Sequence, residues 1–320
     1  METNNAKKKW IALISAVGCV LLALMIAVTC VMYSFREYMD QFLGRGDRVV
    51  TDSGEGLDAV YIDFEVNRKE EAHANAQAIT QETADEGIVL LKNENNALPL
   101  AKTAKVTILG YYSWHNNMSG GEDPATTDGA VSIGKGLEEY FDTNEAVNDL
   151  YDAAKGEFTD PAASLDSAKS TFAEYNTAII TVKRNSGEGN DQVTNSGSAE
   201  YNRTGLSINN AELALIDYAC KNFGKVILVV NAANTMELGF LDEDDPNMNN
   251  GIYTDPYSKK QYDFSKLDGA LWAGCVGSQG GKALARILGG EVNPSGHTPD
   301  VYARYLRNDP TYVNFGSFEY

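Results

Sequence analysis

Residues 208–230 read INNAELALIDYACKNFGKVILVV, and this continuous run contains the pattern that decides the fold. Its first half has apolar residues at helical spacing and ends at Gly224, a residue type that commonly follows a helix. Its second half, 225–230, is apolar at nearly every position, as in strands that are buried on both faces of a parallel sheet. A helix that leads directly into such a strand indicates an α/β protein.

Other apolar runs of strand length and other helical segments alternate along the chain around this one. The strand-like runs are 105–110, 177–182 and 269–274, and the helical segments are 70–87, 131–141 and 280–290. This alternation predicts a doubly wound, mostly parallel sheet with helices on both faces. Residues 242–263 are polar and rich in turn residues, and we expect them to form a long surface insertion. Ligands of such sheets bind beyond the carboxyl ends of the strands.

The N-terminal region contains an apolar run, 10–33, without a single charged residue. As a helix it would be roughly 36 Å long, enough to cross a hydrocarbon core of about 30 Å. Trp10 and Tyr33 occupy its two ends, where aromatic residues favour the membrane interface. A cleaved signal peptide is the alternative, but its apolar core usually has about 7 to 15 residues and precedes a small-residue cleavage site.

Three lysines, Lys7–Lys9, precede the run and predict a cytoplasmic N-terminus. We therefore expect a single-pass protein of the cell membrane whose α/β domain is extracellular. The predicted organisation is a cytoplasmic tail (1–9), a transmembrane anchor (10–33), an extracellular tether and lead-in (34–69), the α/β domain (70–305) and the start of a linker to a following domain (306–320).

Charge and motif content exclude several classes of function. The net charge of −19 argues against nucleic acid as a partner, because the phosphate backbone requires a basic face. The sequence contains neither a GxGxxG nucleotide motif nor a complete phosphate-binding loop. Its three histidines lack metal-ligand spacing to one another, and no CxxC pair is present, so we expect no metal and no cofactor. The redox state of Cys220 and Cys275 is left open.

The stretch RNSGEGND, 184–191, directly follows one of the apolar runs and places Glu188 between two glycines. A solvated turn is one interpretation, and a catalytic carboxylate held on a loop is the other. The stretch resembles the acid/base loop in the carboxy-terminal α/β sandwich domain of glycoside hydrolase family 3, the β-glucosidase and β-xylosidase family. Three further segments, 84–100, 225–238 and 272–302, are similar to that domain in the same order. The resemblance covers about residues 75–305.

This resemblance implies a retaining mechanism with two carboxyl groups, in which Glu188 is the general acid/base. On the same stretch, Arg184 and Asp191 are predicted to contact the substrate, with a loop-stabilising ion pair as the alternative. The family's nucleophile is an aspartate on a separate (β/α)8 barrel. Nothing before residue 70 could form a barrel, so the chain resembles the first part of a family member with reversed domain order.

Two functions therefore follow from the sequence. The first is the membrane-anchored part of a β-glycosidase, inactive alone, which acts on β-linked oligosaccharides or glycosides once a barrel is supplied in cis or in trans. The second is a non-catalytic extracellular module of the same fold that binds carbohydrate or serves as a scaffold.

Overall fold

The computed structural model describes residues 2–36, 39, 66, 68–115, 129–184, 203–274 and 276–308. The chain divides into two compact units, Met1–Asp63 and Phe64–Tyr320. In the first unit the structure describes one helix, α1 (Glu2–Ser34), whose described side chains are exposed from Lys7 to Ser34. The span Lys7–Ser34 has a mean hydropathy of 2.9 and is long enough to cross a membrane, so α1 is a candidate membrane span.

The described part of the second unit alternates between helices and strands. The helices are α2 (Lys69–Gly87), α3 (Ile133–Glu138), α4 (Glu145–Asp152), α5 (Pro161–Leu165), α6 (Asn210–Asn222) and α7 (Gly280–Leu288). The strands are β1 (Val89–Asn93), β2 (Lys105–Leu109), β3 (Asp142–Thr143), β4 (Thr177–Arg184), β5 (Lys225–Ala232), β6 (Met248–Asn249), β7 (Ile252–Thr254), β8 (Gln261–Asp263) and β9 (Leu267–Trp272). Short 3-10 helices occupy Tyr111–Ser113, Asp166–Thr171, Gly239–Leu241 and Leu306–Asn308.

Six strands form one sheet in the order β1-β9-β5-β4-β2-β3. Five of them run parallel, and β1 pairs antiparallel with β9 at the edge. This arrangement confirms the predicted doubly wound, mostly parallel sheet. The central strands β4 and β5 are buried along almost their whole length, which explains their continuous apolar sequences.

Helices cover both faces of the sheet, as the sequence predicts. Helices α4, α5 and α6 pack on one face, and α2, α3 and α7 pack on the other. Successive residues of β4 alternate between them, because Ile180 joins the first cluster and Ile179 the second. Helices α3 and α7 meet closely at two glycines: a Cβ atom on Gly136 would lie 2.2 Å from the backbone carbonyl of Gly281. Only glycine allows this approach.

Helix α6 begins at a reciprocal cap. The Asn209 side chain accepts from the backbone N–H of Glu212 at 2.9 Å, and the Glu212 carboxylate accepts from the backbone N–H of Asn209 at 2.8 Å. Both bonds satisfy donors that the first turn of a helix otherwise leaves unpaired. Cys220 is buried near the end of this helix, whereas Cys275 lies outside the described residues.

The polar segment 242–263, which the sequence predicts as a long surface insertion, contains regular secondary structure. It contains a second, three-stranded antiparallel sheet, β6-β7-β8. Tyr253 on β7 is buried and stacks on Phe264, with ring centroids 5.3 Å apart. Asp255 is fully buried. The segment therefore adds Tyr253 to the core on one face of the main sheet and contributes a buried carboxylate.

Candidate functional site

The candidate site lies outside the carboxyl ends of β2 and β4. The chain passes from β2 to β3 on one side, and from β4 to β5 and β9 on the other. The winding direction thus reverses between β2 and β4, and ligands of open α/β sheets bind at such a reversal. Strand β4 ends at Arg184, so the predicted carboxylate stretch begins at this edge of the sheet.

Of the three residues predicted for the site, the structure describes Arg184. Glu188 and Asp191 lie outside the described residues, and their roles stay predictions. The Arg184 guanidinium donates through Nη1 and Nη2 to the two oxygens of Glu212, at 2.6 and 2.7 Å. The same nitrogens donate to the carbonyls of Lys183 and Ser207, each at 2.6 Å. These four bonds use all four terminal N–H groups. A contact between Arg184 and substrate likewise stays a prediction.

The pair of Arg184 and Glu212 is buried, with side-chain exposures of 9% and 2%. Burial lowers the pKa of Arg184, but the charge of Glu212 and its hydrogen bonds raise it more, so the net shift is upward. Because Glu212 also belongs to the cap of α6, the pair joins the end of β4 to the start of that helix.

A second carboxyl group, Glu157, lies at the same edge on the loop between α4 and α5. It accepts from the backbone N–H of Tyr111 at 3.0 Å, just after β2. Burial raises its pKa to about 7, although hydrogen bonds from the backbone of Tyr111 and Tyr112 and the charge of Arg184 oppose this rise. A carboxyl group with such a pKa can exchange a proton near neutral pH.

Aromatic rings accompany these charged groups. The Tyr111 ring stacks on the His115 ring, with centroids 4.6 Å apart, and His115 Nε2 lies 2.9 Å from the carbonyl oxygen of Tyr151. The Lys183 ammonium lies 5.8 Å from the centroid of the Tyr112 ring. Burial, with the charges of Glu157 and Glu212, raises the pKa of Tyr112. Ring faces beside carboxyl groups suit a ligand that has both apolar faces and hydroxyl groups.

Sequence reasoning missed Glu157 and Glu212. Glu157 stands in a polar stretch, 152–160, and no local pattern marks it. The sequence does predict a capping role for Glu212, because an asparagine followed three residues later by glutamate is typical of a helix start. No local pattern predicts that Glu212 pairs with Arg184. Within the described ranges, no group of three or more His, Cys, Asp or Glu residues could hold a metal ion.

Comparison with known proteins identifies the domain. The sequence profile described as the glycosyl hydrolase family 3 C-terminal domain matches residues 88–318. Beta-glucosidase A of Butyrivibrio fibrisolvens is 28% identical over 263 residues, which are 73% of this chain and 29% of the relative. Beta-glucosidase 1 of Saccharomycopsis fibuligera is 30% identical over 233 residues, which are 69% of this chain and 24% of the relative.

The fold is likewise similar to solved structures. Beta-glucosidase 3B from Thermotoga neapolitana, in complex with glucose, matches with a TM-score of 0.58 and 22% identity, over 77% of this chain and 33% of that one. A beta-glucosidase from Paenibacillus barengoltzii matches with a TM-score of 0.56 and 23% identity, over 75% and 26%. The chain thus spans 29% or less of the length of the two curated relatives. Because the family profile matches most of its length, the chain belongs to glycoside hydrolase family 3 and contains the C-terminal domain of that family.

Proposed function

We propose that this chain is the membrane-anchored part of a retaining β-glycosidase, with Glu188 as its general acid/base. One observation carries the proposal: the family's C-terminal domain spans residues 88–318 and includes RNSGEGND, which starts where β4 ends. The curated relatives are named as beta-glucosidases, so the proposed substrate is a β-linked glucoside or a related oligosaccharide.

The proposed chemistry has two steps. In the first, a nucleophilic carboxylate attacks the anomeric carbon while Glu188 donates a proton to the leaving oxygen, and a covalent glycosyl-enzyme forms. In the second, the Glu188 carboxylate takes a proton from water, which attacks the same carbon and releases the sugar. Asp191 is proposed to contact sugar hydroxyls in both steps. The same contact is proposed for Arg184.

The nucleophile is proposed to come from a (β/α)8 barrel, in cis or in trans. Without it the covalent step has no route, because a general acid cannot replace the carboxylate that attacks the anomeric carbon. We therefore expect the 320-residue chain alone to hydrolyse aryl β-glycosides no faster than buffer. Turnover by the chain alone that is lost in Glu188→Ala would show that it contains a nucleophile.

The proposed location is the cell membrane, with residues 10–33 as a single-pass anchor. The N-terminus would be cytoplasmic, because Lys7–Lys9 precede the apolar run, and the α/β domain would be extracellular.

The test compares Glu188→Ala with wild type in an enzyme that includes the barrel. Hydrolysis of substrates with poor leaving groups should fall by about 10²- to 10⁴-fold, since these need a proton from the acid. Formation of the glycosyl-enzyme from activated aryl glycosides should be spared, and azide should restore turnover by replacing base-assisted water. Glu200→Ala is the matched control, because it removes another carboxyl group between β4 and α6, and it should behave like wild type.

Unchanged hydrolysis of poor-leaving-group substrates in Glu188→Ala would place the acid elsewhere. If wild type with its barrel binds sugar but hydrolyses nothing, the non-catalytic carbohydrate-binding function holds instead.

A further inference from the structure

A large open groove lies beside β1, the edge strand of the main sheet. Three parts of the chain line it: the end of β1 and the residue after it (91–94), residues within 238–243 after β5, and residues within 298–304 in the C-terminal segment. The structure describes every lining residue, and none of them belongs to the candidate site described above. The volume of this edge groove is about 1000 Å³, at the upper end of the range for sites that bind small molecules.

The edge groove is separated from the candidate site by the main sheet itself. Strand β1 is antiparallel to β9, and its end pairs with the start of β9, Asn93 with Gly269. The lining residues of β1 therefore lie toward the amino ends of the parallel strands, whereas the candidate site lies outside their carboxyl ends. Two strands, β9 and β5, also stand between β1 and β4, which places β1 and β4 about 14 Å apart across the sheet. A ligand in the edge groove thus leaves the candidate site open.

Part of the lining of the edge groove is apolar. Leu91, Leu241 and Tyr302 line it, and each is a half-buried side chain that packs against the core on one face of the sheet. Core packing holds these side chains in place, so the apolar surface is formed before a ligand arrives. A half-buried tyrosine presents an apolar ring together with a hydroxyl group that can donate or accept a hydrogen bond. Such a surface suits the apolar face of a sugar ring.

Polar side chains stand beside this apolar surface in pairs of a donor and an acceptor. The Arg304 guanidinium donates through Nε to Oδ2 of Asp242 at 2.8 Å, and its Nη2 donates to the same oxygen. Lys92 Nζ lies 3.0 Å from Oε2 of Glu94. The side chains of Arg304 and Asp242 remain 48% and 40% exposed, so both can still bond to a ligand. An adjacent donor and acceptor can bind two neighbouring hydroxyl groups of one sugar ring.

The charges of the edge groove favour a neutral ligand. Carboxylates outnumber cations in its lining, which contains Glu94, Asp242, Glu243 and Asp300 against Lys92 and Arg304. Both cations already have a carboxylate partner, so an anionic ligand would meet an excess of negative charge. A wholly apolar ligand is also disfavoured, because it would cover charged groups without bonding to them. The lining therefore selects a neutral molecule that has apolar faces and hydroxyl groups, which is the chemistry of an oligosaccharide.

We propose that the edge groove is a second carbohydrate-binding site, in which a β-linked glucose oligomer contacts the Tyr302 ring and the Arg304–Asp242 pair. The choice of β-linked glucose rests on the proposed function, whereas the binding of a neutral sugar rests on the lining of the groove. In the enzyme, such a site would hold a long substrate chain close to the catalytic centre without occupying it.

The first test is isothermal titration calorimetry of the whole 320-residue chain with cellohexaose and with laminarihexaose, two glucose hexamers that differ in their β-linkage. The detergent must lack a sugar headgroup, which would compete for the site. One groove variant is Tyr302→Ala, and the other is Asp242→Asn with Arg304→Gln. The matched control is Tyr175→Ala, because Tyr175 is also half-buried and also lies beside a cation and a carboxylate, Lys105 and Asp142, but does not line the edge groove.

Wild type and Tyr175→Ala should bind at least one hexasaccharide with equal affinity, and both groove variants should bind it at least about tenfold more weakly, which corresponds to about 1.4 kcal/mol. The absence of binding to wild type, or wild-type affinity in a folded groove variant, would overturn the proposal. Equal weakening in Tyr175→Ala would overturn it as well, because the loss would then be general. Should Tyr302→Ala not fold, the double variant decides, since it replaces two exposed side chains.

The second test uses the enzyme with its barrel and separates this proposal from the proposed function. Asp242→Asn with Arg304→Gln should raise KM for a soluble β-glucan without changing kcat, and should leave both constants unchanged for a small aryl β-glucoside. General destabilisation would affect the two substrates alike. An unchanged KM for the glucan, or loss of the Tyr302-dependent binding once the barrel is present, would overturn the proposal.

The two proposals can fail independently. If the chain binds a hexasaccharide through Tyr302 but the enzyme with its barrel hydrolyses nothing, the second site stands and the proposed function fails. If Glu188→Ala abolishes acid-dependent turnover while the groove variants bind like wild type, the proposed function stands and the second site fails.

Discussion

The carboxyl group of Glu157 is half-buried and has a raised pKa, so we expect the stability of this protein to depend on pH, and Glu157→Gln tests that dependence. Its pKa is raised from 4.5 to about 7, mainly by burial. Between these two values the folded chain holds a proton that the unfolded chain has released. The free energy of unfolding therefore falls as pH rises from about 4.5 to about 7. A shift of this size corresponds to at most about 3 kcal/mol.

Glutamine removes the titration and keeps the geometry. Its side-chain oxygen can accept from the backbone N–H of Tyr111, as the carboxylate does at 3.0 Å. It carries no charge at any pH, so burial imposes no growing cost as pH rises. We expect the free energy of unfolding of Glu157→Gln, relative to wild type, to increase by about 1 to 3 kcal/mol between about pH 5 and pH 8.

Urea unfolding of the whole chain in detergent, at several pH values across this range, measures the difference. Tryptophan fluorescence reports on the α/β unit through Trp114 and Trp272. Glu139→Gln, which changes an exposed carboxylate, is the matched control and should show no such increase. A difference between Glu157→Gln and wild type that stays constant from about pH 5 to pH 8 would refute the reasoning, because it would mean that the folded and unfolded carboxyl groups titrate alike.

Three further outcomes are expected. Gly136→Ala should lower the free energy of unfolding by about 1 to 3 kcal/mol, because its Cβ would meet the backbone of Gly281; wild-type stability in urea unfolding would contradict the close approach of α3 and α7. Burial raises the pKa of Cys220 to about 12, so the thiol should resist iodoacetamide at about pH 8 in the folded chain and react in urea, as mass spectrometry of its peptide will show; equal labelling in both states would argue against its burial. Protease added to intact cells should digest the chain beyond residue 40, and complete protection of that region would contradict the predicted orientation.

The local sequence was sufficient to predict the strands β2, β4, β5 and β9 and the helices α2, α3, α6 and α7, and to identify the family. Residues 208–230 predicted a helix and a buried strand, and the structure has α6 at Asn210–Asn222 and β5 at Lys225–Ala232. This succeeded because a strand buried on both faces must be apolar throughout, and a helix covering one face must repeat its apolar residues about every 3.6 positions. The segments that resemble glycoside hydrolase family 3 could also be recognised from local sequence, because each is short and continuous.

Contacts between distant parts of the chain decided the rest. Glu157 is bonded to the backbone of Tyr111, 46 residues away, and Arg203 pairs with Asp255, 52 residues away. Nothing near Glu157 in the sequence reports its burial, because its desolvation comes from elements that only folding brings together. The sequence therefore determined the long buried strands, the helices that cover them and the family, whereas the short elements, among them α4, α5 and the sheet β6-β7-β8, were not predicted. The tertiary structure alone decided that the winding reverses between β2 and β4, that a second carboxyl group lies at that edge, and that Arg184 is paired with Glu212. Side-chain pairing depends on strand order and packing, which local patterns do not contain.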